Sequence, residues 1–410
     1  MNNTVDIKVT LKSKSLQLFL IGNCVSVVGS LITQTARSWL VYKLTDSAAW
    51  LGVIMFVDQL STFILLPFAG VFADRWNRYR SILSTQILSM LVSFTTAILV
   101  LTGRIQPWEL LVLTFLQGCI NAFDVTIRQS FLTQLVKHPE HIGQVVSINT
   151  SIFGAARMIA PAIAGLLTAS VGAGVCFAAD GVSFIVLLVA LFLMKLPKQR
   201  RQLKEPEPFF HGLQEGFSYV VGDLRIRMII ILLAIVSLVA ISSITTLLPV
   251  FATDVLKGDS RTLGFLSTAS GMGSLLAVVY VTTQTNLIRL SCLIAIAPFI
   301  SGAALAVFAV SHNFLVSFIA AFLIGFGVLL QHSTGNTLIQ TLVQEEMRGR
   351  VSSIYIMAFT GMSTIGSLSS GLLSNQIGAV KTVLVCGVLC VGAAVWFNSQ
   401  LPAFQQQIKR

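Results

Sequence analysis

The chain has little charge. Only 10% of its 410 residues are Asp, Glu, Lys or Arg, against roughly a quarter in soluble domains. That shortage excludes an ordinary soluble enzyme, a disordered chain and a nucleic-acid binder built on exposed basic faces. Cysteine is sparse as well. Cys24, Cys119, Cys176, Cys292, Cys386 and Cys390 all lie in apolar stretches without a CxxC pair, so neither a zinc site nor a disulfide framework is expected. They read as small packing residues. The sequence has no G-x-x-x-x-G-K-S/T, which excludes an ATP engine of that kind. It has no H-E-x-x-H and no Cys/His cluster for zinc. No cofactor is expected, and no nucleophile–base or metal constellation marks an enzyme.

What remains is apolar. Hydrophobic residues make up 55% of the chain, and the mean hydropathy is +0.84. Lipid is therefore the expected solvent. A spanning helix takes about 20 apolar residues, and charges and turn residues mark off twelve such stretches. They are placed at 16–42, 48–73, 80–102, 107–127, 143–169 and 172–194, then at 226–252, 262–283, 288–310, 314–339, 351–375 and 379–398. The stretch 290–344 has no Asp, Glu, Lys or Arg. It is divided at Ser311-His312-Asn313 because it is too long for one span. The N-terminal apolar stretch is too long for a cleavable signal peptide.

Basic residues set the expected orientation. With the N-terminus in the cytoplasm, the cytoplasmic segments hold 20 Lys and Arg and the outer segments five. Both termini are then cytoplasmic. The net charge of +11 follows from this bias without nucleic acid.

The sequence repeats itself at a spacing near 206. Leu135-Val136 answers Leu342-Val343, Gly165 answers Gly371, and Gly172 answers Gly378. The expected fold is an all-α membrane protein of twelve helices in two pseudo-symmetric six-helix bundles, residues 1–194 and 226–410. Residues 195–225 form a cytoplasmic linker. Its Glu205-Pro206-Glu207-Pro208 breaks any helix. Phe209, Leu213 and Phe217 then recur every four residues, as in a helix lying in the headgroup layer or packed on the bundle ends. Two repeats meeting at a central site are common among secondary transporters.

Between spans 2 and 3 stands Gly70-Val71-Phe72-Ala73-Asp74-Arg75-Trp76-Asn77-Arg78-Tyr79-Arg80. It closely resembles the G-x-x-x-D-R-x-x-R-x-R loop of the major facilitator superfamily. With twelve helices and two repeats, the resemblance covers nearly the whole chain. It implies a cytoplasmic gate in which Gly70 permits close helix approach and Asp74, flanked by Arg75 and Arg78, meets the N-terminal end of span 11 near Arg348-Gly349-Arg350. Asp124-Val125-Thr126-Ile127-Arg128 resembles the subgroup of enterobactin exporters and macrolide-efflux proteins. Asp124 and Arg128, spaced i,i+4, are set to pair on one helix face. Ala156-Arg157-Met158-Ile159-Ala160-Pro161-Ala162-Ile163-Ala164-Gly165 is similar to the antiporter signature of drug exporters. Pro161 and Gly165 fit it, while three glycine positions are alanine. The arginine that the family places on span 4 would fall at Thr114 and is absent, which departs from the usual proton route.

Charges inside spans are costly and usually functional. Arg37, Asp58, Arg157 and Asp180 stand out. From the turn joining spans 1 and 2, Arg37 and Asp58 lie at depths of roughly 12 and 18 Å, so a pair is geometrically possible. Arg157 and Asp180 form a second candidate pair. Asp58, with Asp180 behind it, is the candidate for taking up and releasing a proton as an arginine moves. Gln331, His332 and Asn336 on span 10 are candidates for lining a cavity.

The resemblance implies an exporter of a small amphipathic molecule, a siderophore or drug-like compound, working by alternating access and coupled to protons. An importer on the same fold is the alternative. Partners would be the substrate and membrane lipids, without nucleic acid, and the family implies a monomer.

Overall fold

A computed structural model describes residues 13–136, 139–194 and 209–409; for Pro67, Gly70, Val71, 73–75, Pro139, 209–213, Ala403 and 407–409 it describes the backbone alone. Among the described residues all regular structure is helical. The first six spans are α1 (Lys14–Thr45), α2 (Ala48–Arg75), α3 (Arg78–Leu101), α4 (Pro107–Leu135), α5 (Ile142–Val171) and α6 (Ala173–Leu193). The linker holds α7 (Phe209–Gly222). The other six spans are α8 (Leu224–Val255), α9 (Ser260–Thr282), α10 (Leu287–Val310), α11 (Phe314–Leu342), α12 (Arg348–Ile377) and α13 (Ala379–Lys409). Among the described residues twelve helices are thus long and apolar enough to cross a membrane.

The expected span limits hold to within a few residues, with two exceptions. α4 continues past the expected 127 to Leu135, and α13 runs through Pro402 to Lys409. The extension of α4 contains Arg128, whose charge marked a span end in the sequence. Pairing with Asp124 lets the helix continue. α8 is not uniform: its backbone widens into π turns at Ser237–Ile241 and Phe251–Val255. Such turns are local insertions in an otherwise α-helical ladder.

Short polar caps end the helices. Asn77 accepts from the Tyr79 and Arg80 amides at the start of α3, and Asn286 and Asn313 do the same for α10 and α11. The 206-residue repeat is visible in the backbone itself. Gly172, between α5 and α6, has φ 88° and ψ 160°, and Gly378, between α12 and α13, has φ 88° and ψ 154°. That region is open to glycine alone.

The chain divides into two compact units. One comprises Met1–Leu44 and Val57–Glu205, the other Thr45–Phe56 and Pro206–Arg410. In the first unit, one core cluster gathers Leu16, Phe19, Ile82, Phe131 and Leu191, and a second gathers Ala36, Ala97, Ala160, Ala164 and Cys176. In the second unit the core runs through Ile229, Leu233, Ile294, Leu338 and Phe397. There α7 rests on α12: Gly216 lies against Arg350 and Ile354, and Glu215 pairs with Arg350. Phe217 on the same helix is 63% exposed. The linker helix is therefore tethered on one side and apolar on the other. The side chains of Phe209 and Leu213 lie outside the described residues.

Candidate functional site

Polar groups inside the first unit form two clusters. The outer one begins with Arg37 on α1 and Asp58 on α2. Arg37 NH1 lies 3.1 Å from Asp58 Oδ1, with side-chain exposures of 11% and 25%. A hairpin of two antiparallel helices brings them together from 21 residues apart. Beside them, Thr62 donates to the Gly118 carbonyl at 3.1 Å, holding α2 against α4.

Asp180 on α6 is buried, at 3% exposure. Its carboxylate accepts from Ser93 of α3 at 2.8 Å and from Ser30 of α1 at 3.3 Å. α1 passes directly over it. A Cβ placed on Gly29 would stand 2.9 Å from Asp180 Oδ1 and 2.8 Å from Ser183 Cβ, so only glycine fits there. Arg37 and Asp180 line one small cavity together with Thr33, Ser93, Thr114 and Gln117. In its wall, Thr114 Oγ1 and Gln117 Oε1 are buried without a hydrogen-bond partner. Buried polar atoms are rarely left in that state.

The expected Arg157–Asp180 pair is not formed. Arg157 is exposed, and its guanidinium lies over the Phe153 ring, 5.2 Å from the centroid, within cation–π range. The physical reason is the face that α5 turns inward. Ala156, Ala160 and Ala164 are at 3%, 0% and 0% exposure, and two of them join Ala173, Cys176 and Phe177 of α6 in one cluster. These are the three alanines at the glycine positions of the antiporter-like signature. Small residues allow helices to approach closely in membranes. Gly165 is buried beside them and Pro161 lies inside the helix.

The inner cluster centres on Asp124 and Arg128 of α4, paired at 2.6 Å with side-chain exposures of 10% and 15%. Arg128 Nε adds a second bond to the same oxygen at 2.9 Å. The other carboxylate oxygen accepts from Thr85 at 2.9 Å and Gln86 at 2.5 Å, both on α3. Arg128 also reaches Asn23 on α1, and Asn23 donates to Asn149 on α5 at 2.7 Å. Four helices are thereby tied through one ion pair. Every acceptor position of Asp124 is used, which fits a fixed brace.

The gate-loop expectations for Gly70, Asp74 and Arg75 rest on side chains outside the described residues. Arg78 is described: its guanidinium donates to the Ser130 carbonyl at 3.3 Å, near the end of α4.

On α11 the three residues of the polar run have different surroundings. Gln331 is buried at 1% and its Nε2 lacks a partner. His332 packs against Phe359 and Tyr355, with ring centroids 4.2 and 5.4 Å away, and its carbonyl accepts from the Tyr355 hydroxyl at 2.7 Å. Asn336 is exposed. Five residues of helix turn by 500°, which sends Gln331 and Asn336 to different sides.

Sequence reasoning missed Ser30 and Ser93 at Asp180, and Asn23, Thr85, Gln86 and Asn149 around Arg128. For Asn23, Gln86 and Asn149 the one signal was an amide inside an apolar span; the hydroxyls of Ser30, Ser93 and Thr85 gave none. Among the described residues no group of His, Cys, Asp and Glu is placed to hold a metal.

Comparison with known proteins bears on the whole chain. A family model described as a transmembrane secretion effector matches residues 9–409. The staphyloferrin A transporter of Staphylococcus aureus is 27% identical over 375 residues, covering 90% of this chain and 92% of that protein. The macrolide efflux protein A of Streptococcus pyogenes is 22% identical over 381 residues, covering 91% and 93%. Among solved structures, a bacterial homologue of the human lysosomal transporter Spinster superposes with a TM-score of 0.74 at 12% identity, covering 96% of this chain and 97% of that one. At that identity the likeness concerns the fold.

Proposed function

Because the chain belongs to the transmembrane secretion effector family of major facilitator transporters, we propose that it exports a small amphipathic molecule, a siderophore or drug-like compound, by alternating access driven by inward proton flow. The chain itself is a multi-pass integral protein of the bacterial inner membrane, a transporter and not an enzyme. A siderophore or drug-like cargo is supported by the two relatives, whose names specify staphyloferrin A and macrolides. Export is supported by the second name and by the small-residue face of α5. The 20-to-5 distribution of basic residues supports cytoplasmic termini.

The observation that bears the coupling is the Arg37–Asp58 pair at 3.1 Å inside the apolar spans. An ion pair in that setting is expensive to bury and marks a working element. A proton on Asp58 neutralises the carboxylate and releases the guanidinium; its loss restores the pair. Substrate and proton then alternate if the two states of the pair favour opposite openings of the transporter. Arg37 lines the same cavity as Thr114, the position at which the family's span 4 arginine is absent. A cation from α1 thus stands where α4 lacks one.

The test is accumulation in everted membrane vesicles energised by respiration, with and without an uncoupler. The panel comprises catecholates, hydroxycarboxylate chelators, macrolides and cationic dyes. Uptake that collapses with uncoupler is the expected result. Accumulation confined to right-side-out vesicles would mean import and would overturn the direction proposed here.

A further inference from the structure

The outer cluster holds one guanidinium and two carboxylates. Arg37 is paired with Asp58, while Asp180, 3% exposed, is held by neutral hydroxyls, those of Ser93, Ser30 and Ser183. Arg37 nevertheless lines the cavity that Asp180 faces. With both carboxylates ionised the cluster would bury a net negative charge away from water, which is expensive without a partner.

Among the described residues of the first unit, no other charge compensates it. On α6 the remaining titratable group is Cys176, whose sulfur lies 3.4 Å from Thr168 Oγ1. On α5, Arg157 is turned onto Phe153. On α3, Arg78 is bonded to Ser130, Tyr79 donates to the Leu191 carbonyl, and Arg80 is exposed at the helix start. On α4, Glu109 caps its own helix at Gln106, and Asp124 is saturated by Arg128, Thr85 and Gln86. On α1, Lys14, Tyr42 and Lys43 sit towards the two ends of the helix, away from Ser30 and Thr33.

We propose that Arg37 serves Asp58 and Asp180 in turn, so that the two carboxylates hold a single proton between them, and that this proton sits on Asp180 while Arg37 rests on Asp58. The inference deepens the proton-coupled reading and rests on it. In the exchange, a proton from solvent binds an Asp58 oxygen as the guanidinium leaves it. The guanidinium moves to Asp180, whose O–H bond breaks and whose proton departs through the cavity. One proton enters and one leaves, and the cluster is neutral before and after the exchange. The cavity is the path this requires. Its wall offers two unpartnered acceptors, Thr114 Oγ1 and Gln117 Oε1, which suit a proton-carrying water or a hydroxyl relay.

The test reads protonation directly. The purified full chain in lipid nanodiscs is titrated with pH, and the carboxylic-acid carbonyl stretch is followed by infrared difference spectroscopy. An acid band is expected in the parent protein and is expected to vanish in Asp180→Asn. Asp58→Asn mimics a protonated Asp58 and frees Arg37 for Asp180. At the pH where half the band remains in the parent, that variant is expected to show about a fivefold smaller band, as a tenfold loss of proton affinity would give. Arg37→Gln is expected to enlarge the band. If Asp180→Asn does not insert, Ser93→Ala takes its place, since it removes one donor from Asp180 and is expected to move the band's frequency. A band that survives Asp180→Asn, ignores Ser93→Ala or is unchanged in Asp58→Asn overturns the proposal. The band needs neither substrate nor gradient. Uncoupler-insensitive accumulation with the band behaviour intact would instead count against the proton-coupled reading.

Discussion

Arg37 and Asp58 meet at 3.1 Å across the α1–α2 hairpin, inside a unit whose core clusters are apolar. This geometry gives Asp58→Asn a specific phenotype. Uphill accumulation in everted vesicles is expected to fall by about tenfold or more, as loss of a working proton site implies. Exchange of labelled for unlabelled substrate, which needs no net proton movement, is expected to continue. The measurement is the pH profile of both activities. A pH profile of accumulation that matches the parent protein would take Asp58 out of the coupling scheme.

The Asp124–Arg128 network predicts a different outcome. Asp124→Ala leaves a guanidinium of 15% exposure without its carboxylate, and breaking such a buried pair costs about 3–5 kcal/mol. A fall in the melting temperature of the detergent-solubilised protein is expected. Replacing both partners, Asp124→Leu with Arg128→Met, removes the charges together and is expected to cost less than the single change. A double variant no more stable than Asp124→Ala would mean that the amides of Asn23 and Gln86 carry the contact.

The twelve spans were legible because lipid demands long apolar helices, and the charges and caps around Asn77, Asn286 and Asn313 punctuate them. Arg37 and Asp58 were legible as a possible pair because a hairpin fixes their relative depth. Arg157 and Asp180 were misjudged for want of angular information. Depth along adjacent helices does not say which face a side chain takes, and alanines, not Arg157, form the face that α5 packs against α6. Ser30 and Ser93 carry no periodic signal. They stand 150 and 87 residues from Asp180 in the chain, so only folding shows that they share one carboxylate.

Asp223 predicts a pH-dependent effect at the entrance to α8. Burial alone would push its carboxyl up, but hydrogen bonds from the Arg225 side chain and backbone, with the guanidinium's charge, outweigh it and hold the carboxyl below its usual range. Asp223 is also the N-cap of α8, accepting from the Arg225 amide at 2.9 Å. Because the folded value is depressed, its stabilisation is complete above the unfolded value, about 3.9, and fades as pH falls through the folded value. Asp223→Ala is expected to cost about 1 kcal/mol at neutral pH. The thermal stability of parent and variant is expected to converge as the buffer is acidified. A stability gap independent of pH would mean that the cap, and not the charge, accounts for the effect.

Gly172 and Gly378 allow the repeat to be tested by energetics. Both have φ 88°, with ψ 160° and 154°, a combination that costs a residue with a Cβ about 1–3 kcal/mol. No atom stands within 4 Å of a Cβ built on either glycine, so backbone strain is the whole of the expected penalty and crowding adds nothing. Gly172→Ala and Gly378→Ala should therefore destabilise the protein by similar amounts. Standing 206 positions apart in the chain, with no atom within 4 Å of either built Cβ, the two changes should add in the double variant to within about 0.5 kcal/mol. Chemical denaturation in mixed micelles provides the comparison. Similar single effects would show that the two turns are equivalent in energy as well as in dihedral angle. A penalty at one glycine alone would mean that the other turn relaxes, and that the repeat survives in the backbone without being equally needed in both halves.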